Sequence, residues 1–154
     1  MKKAIKISAI VVVSLLILVT ALAMVNGITP LSLGLHSPVY QSSGLALDGY
    51  DVVSYFQGAP VKGDSRFAYE WKEVTWNFTS QANLDTFKAT PEKFIPQYGG
   101  YCAKAISAGF AAPANPTVWT VKDDKLYIFT DEEVKAEFLQ HPNEMIEACN
   151  KAWE

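Results

Sequence analysis

Cys102 is the position whose chemistry stands out first. It follows Tyr98-Gly-Gly-Tyr101, where paired glycines let the backbone take up positive φ or approach something closely. If the residues after it are helical, the sulfur lies near a helix N-terminus, which favours a thiolate. Thiolates bind soft metals and attack disulfides. The same position also suits a small buried hydrophobe packed beneath the aromatics. Tyr98, Tyr101 and Asp51 are candidate ligand neighbours of that sulfur.

The other titratable side chains read more simply. Cys149 falls four residues after Met145 and four before Trp153, on the apolar stripe of a last helix. A Cys102–Cys149 disulfide is permitted outside the cytoplasm, but nothing in the spacing shows the two sulfurs meeting. His36 stands alone in a loop, and His141-Pro142 ends a helix whose last carbonyls a histidine can cap. Asp48 and Asp51 flank Gly49-Tyr50 and suit a turn and a helix start. There is no GxSxG, HExxH, phosphate loop or CxxC. No catalytic constellation is visible.

The elements that must position these residues follow from periodicity. Phe67, Tyr69 and Trp71 alternate, as do Val74, Trp76 and Phe78, across Lys72-Glu73, which predicts a β-hairpin. Neither linking residue is Gly or Asn, so the turn type stays open. Val118 to Val121 and Leu126 to Phe129 predict a second hairpin across an Asp-Asp turn. Ser80 caps a helix burying Leu84 and Phe87, Pro91 opens another, and Tyr101 begins a short one ending near Gly109. Thr130-Asp-Glu-Glu133 is a capping box for a helix through Phe138, and Asn143 to Trp153 is the last helix. The expected fold is α+β: one small domain of two hairpins with several short helices.

Ahead of it, Lys2, Lys3 and Lys6 precede an apolar run from Ile7 to Val25. That pattern predicts either a transmembrane anchor with a cytoplasmic N-terminus or a cleaved signal ending near Ala21-Leu22-Ala23. Both place the domain on the extracytoplasmic side, tethered to the cytoplasmic membrane or released as a periplasmic or secreted protein. The expected division is residues 1–25 as anchor or signal, 26–44 as tether and 45–154 as domain. Beyond Lys6 the chain carries 10 basic and 16 acidic residues, a net charge of −6, and its single arginine is Arg66. No basic cluster exists to neutralise phosphates, which argues against nucleic-acid partners.

Several motifs resemble those of YHS-domain proteins: LDGYDVVSYF at 47–56, W-x-F-x-S-x-x-N-x-x-x-F-x-x-x-P-x-K-F from Trp76 to Phe94, and QYGGYCA at 97–103. The similarity continues through Ala112–Pro116, VWTV and KLYIF. It implies a small α+β domain, often exported, that handles heavy metals such as copper. In metal-associated members a C-S-x-x-C pattern carries the cysteines, and its two positions here are Thr79 and Asn83. The histidine of the family's name corresponds to Lys72. Without two thiolates and an imidazole these positions cannot build a closed soft-metal site. The expected function is therefore a binding module near Cys102, for a soft metal ion such as copper or a small ligand. A non-catalytic interaction domain and a thiol-redox protein using Cys102 are the alternatives.

Overall fold

The computed structural model describes residues 2–154, with side chains from Ile10 onward. Helix α1 spans Lys2–Val25, and Asn26 hydrogen-bonds back to the Leu22 carbonyl through its side chain. The expectation of a transmembrane helix is corrected here. Among the described residues no helix is long and apolar enough to cross a membrane. The side chains of Lys2, Lys3 and Lys6, which carried the orientation argument, lie outside the described residues.

The segment expected as a tether is woven into the domain. Strand β1, Thr29–Pro30, pairs with β6, Phe110–Ala111, through Thr29 opposite Ala111. Strands β2, Gln41–Ser42, and β3, Leu45–Ala46, form a small hairpin. Val39 is buried, while Leu33 and Leu35 point outward.

Both predicted hairpins are present. Strand β4, Asp64–Trp71, pairs antiparallel with β5, Val74–Phe78, with Trp71 opposite Val74. Strand β7, Asn115–Lys122, pairs with β8, Lys125–Phe129, with Lys122 opposite Lys125. Both two-residue links are left-handed throughout, at Lys72-Glu73 and Asp123-Asp124, as tight hairpin turns require. Departing from a purely antiparallel arrangement, β3 adds to β5 in parallel at Leu45 and Thr75, giving the order β2-β3-β5-β4.

Short helices close the core: α2 (Val52–Phe56), α3 (Gln81–Ala89), α4 (Pro91–Phe94), α5 (Ala103–Ser107), α6 (Glu132–Gln140) and α7 (Pro142–Trp153). Ser80 caps α3 as expected, its hydroxyl accepting from the Asn83 N–H. The cap of α6 is Asp131, one residue later than expected, because its carboxylate reaches the Val134 N–H. One apolar cluster fills the space between β4–β5 and α2–α4, where Phe87 stacks on Trp76 at 5.2 Å. A second gathers Tyr98, Tyr101, Ile106, Phe129, Phe138 and Cys149 beneath α5–α7.

Candidate functional site

Cys102 does not face an opening. Its residue is 2% exposed. Its N–H donates to the Ala112 carbonyl and its own carbonyl accepts from Ile106 N–H, so the backbone around it is fully engaged. The helix it precedes has five residues. Cys149 is also buried, and its thiol donates to the Ala103 carbonyl at 3.1 Å. Both cysteines are free thiols. Burial pushes the Cys149 thiol up to about 11, and the neighbouring Cys102 adds to the rise.

This has a consequence for pH dependence. The folded thiol binds its proton more tightly than an exposed one, whose ordinary value is 9.0. Its contribution to stability is therefore complete below about pH 9 and is lost as pH rises toward about 11. Unfolding free energy measured by urea titration falls across that window, and Cys149→Ala makes the fall shallower. Alkylation of both thiols in the native protein at neutral pH is slow and becomes fast on unfolding.

Asp51 is completely buried and serves as a structural hub rather than a ligand. One carboxylate oxygen caps α2 by accepting from Val53 N–H at 2.9 Å. The other accepts from Thr79 N–H, Thr79 Oγ1 and Asn83 Nδ2, all at 2.7–2.8 Å. Gln57 then donates to Asn83 Oδ1. Thr79 and Asn83 are the positions that would carry cysteines in the metal-associated pattern, and here both side chains are spent on this carboxylate. The residues do not fit a soft metal: neither is a thiol, and a lysine, its ammonium over the Trp71 ring, stands in place of the imidazole. Among the described residues no group of three His, Cys, Asp or Glu side chains could hold a metal ion. The expected metal site at Cys102 finds no support in this geometry.

Tyr98 and Tyr101 belong to one tight turn. Tyr98, Gly99 and Gly100 run left-handed in succession, at φ 55, 64 and 85°. The turn presses against the chain at Pro38–Val39, and Tyr40 N–H donates to the Gly99 carbonyl at 2.9 Å. A Cβ on Gly99 would sit 2.2 Å from the Pro38 carbonyl oxygen, so only glycine fits. Tyr101 is buried with its hydroxyl donating to the Ser37 carbonyl at 3.1 Å, and burial raises its phenol. Tyr98 donates to Asn150 Oδ1 on α7 at 2.9 Å, and burial raises its phenol further.

Of the four candidate ligand residues, Tyr98 lines a cleft. That cavity measures about 370 Å³ and lies between the Tyr98 turn, the Lys72 turn and α7. Trp76, Ile95 and Pro96 give it apolar walls together with Trp153, while Gln97, Asn150 and Lys72 supply polar groups. Trp153 packs at 6.0 Å from Tyr98 and 6.2 Å from Tyr101, which ties the wall to the turn. Two non-glycine residues in the left-handed region, Lys72 and Tyr98, border the same cavity. The Lys72 conformation is the one its hairpin turn requires, and that of Tyr98 belongs to the glycine turn.

Sequence reasoning missed Lys72, Asn150 and Trp153 as site residues. A signal existed for the first: a two-residue hairpin link with neither Gly nor Asn is unfavourable unless something holds it. The other two lie three apart on α7, where apolar periodicity alone reads as core. The chain matches no protein-family profile, no curated protein and no solved structure.

Proposed function

We propose that the domain is a non-catalytic binding module whose site is the cleft between the Tyr98 turn and α7, taking a flat, largely apolar small molecule. The observation that carries this is the convergence of Lys72, Tyr98 and Trp153, far apart in sequence, on one cavity of about 370 Å³. That volume falls in the range of about 300–1,000 Å³ typical of ligand sites, and the mix of apolar walls with a few polar groups is their usual composition. The sealed Cys102 argues against a thiol-redox role, and the absence of acid–base or nucleophile pairs around the cleft argues against catalysis. The domain works outside the cytoplasm in this reading, supported by the basic-then-apolar N-terminal pattern and Ala21-Leu22-Ala23. Cell fractionation tests that placement. The resemblance to YHS-domain proteins, carried by its ordered motifs, enters as a likeness of scaffold with the metal positions converted.

Indole serves as the probe, because its fused ring suits apolar walls of this size. Calorimetry should detect indole binding to the full chain. Ile95→Trp, which fills the cleft, should weaken it at least tenfold, whereas Cys102→Ala should leave it unchanged. Equal binding to the Ile95→Trp protein would contradict the proposal.

A further inference from the structure

We infer that the ligand of this cleft carries a negative charge, a carboxylate on a flat ring system, which pairs with the Lys72 ammonium; the inference rests on the cleft being the binding site. Of the residues around the cavity, Lys72 alone is charged, and no carboxylate lines it. The wall therefore offers one uncompensated positive group. Lys72 takes part in none of the ion pairs among the described residues. Its Nζ stands 4.4 Å from the centre of the Trp71 ring, resting on an aromatic face.

The placement of this cation is built into the backbone. Lys72 and Glu73 form the β4–β5 link with φ of 51 and 62°. Gly or Asn would adopt those angles at lower cost, so the turn keeps a lysine where its conformation is unfavourable. The chain beyond Lys6, Lys72 included, carries a net charge of −6. A cation at the rim of a cleft that no carboxylate lines is a local exception to that field, and it would select against cationic and favour anionic molecules. Gln97 and Asn150 flank the same space. The Tyr98 bond uses the Asn150 oxygen, which leaves the amide N–H groups to donate, as an anion requires.

The test compares indole-3-acetate with its neutral counterpart, indole-3-acetamide, by calorimetry on the full chain at low salt. The acetate should bind wild-type protein at least tenfold more tightly than the acetamide, and added salt should narrow the gap. Lys72→Gln should erase the preference, and Lys72→Arg should keep most of it. Lys72 is exposed in a turn, so an unchanged thermal midpoint verifies folding of both variants. Equal affinities in the wild type, or a preference that survives Lys72→Gln, overturn the charge pairing while leaving the cleft as the site. Failure of both compounds to bind overturns the cleft reading as well.

Discussion

Gly99→Ala destabilises the protein by about 3–5 kcal/mol, through a clash that nothing nearby can relieve. A left-handed conformation costs an alanine about 1 kcal/mol by itself, and Gly99 has φ +64°. The larger part is steric. The new Cβ would lie 2.2 Å from the Pro38 carbonyl oxygen, 3.1 Å from its carbon and 3.2 Å from Val39 Cα, all of them backbone atoms. Relief requires the two chain segments to separate, which breaks the Tyr40 N–H bond to the Gly99 carbonyl. Gly109 provides the control: its φ is +85° but nothing lies within 4 Å of its would-be Cβ. Gly109→Ala should therefore show only the conformational cost of about 1 kcal/mol. Urea unfolding of the two variants separates the effects. Pro38, Tyr98 and Gly99 all line the cleft, so Gly99→Ala also removes indole binding, while Gly109→Ala keeps it.

Asp51→Ala should cost about 3–5 kcal/mol, comparable to breaking a buried charged pair. Four donors point at this carboxylate and all lose their acceptor: Val53 N–H, Thr79 N–H, Thr79 Oγ1 and Asn83 Nδ2. Each buried donor left alone costs about 1–3 kcal/mol before relaxation. The hydrogen bonds also join α2 to the β5–α3 corner, so the loss is cooperative. Asp51→Asn is informative because it keeps the shape and offers one acceptor oxygen in place of two. Its amide group would oppose either the cap donor or the three donors from Thr79 and Asn83, so it should recover only part of the stability. Full recovery by asparagine, seen in urea midpoints, would show that the second oxygen contributes nothing.

The hairpins were legible because period-2 aromatic runs such as Phe67-Tyr69-Trp71 leave few alternatives. The pairings of β1 with β6 and of β3 with β5 were not, since two-residue strands carry no period and their partners lie far along the chain. Ser80 was readable as a cap, but choosing between Thr130 and Asp131 needed the geometry. In the site, the paired glycines marked the Tyr98 turn correctly as a place of close approach. They did not reveal that the partner is this chain's own Pro38. Cys102 illustrates the ambiguity of a single sulfur: beside a glycine turn it reads as a thiolate or as filler, and only burial decides. Asp51 looked like a helix-start charge. It is one, and its second oxygen gathers two residues from across the core.

The central claim is that the cavity walled by Tyr98 and Trp153 is where a small molecule binds. Amide and side-chain NMR of the isotopically labelled full chain, titrated with indole to millimolar concentration, tests it directly. The account predicts shifts centred on Lys72, Trp76, Ile95, Tyr98, Asn150 and the Trp153 ring, with Asp51 and Cys102 unmoved. No shift at saturating indole, or shifts centred away from those residues, would contradict it.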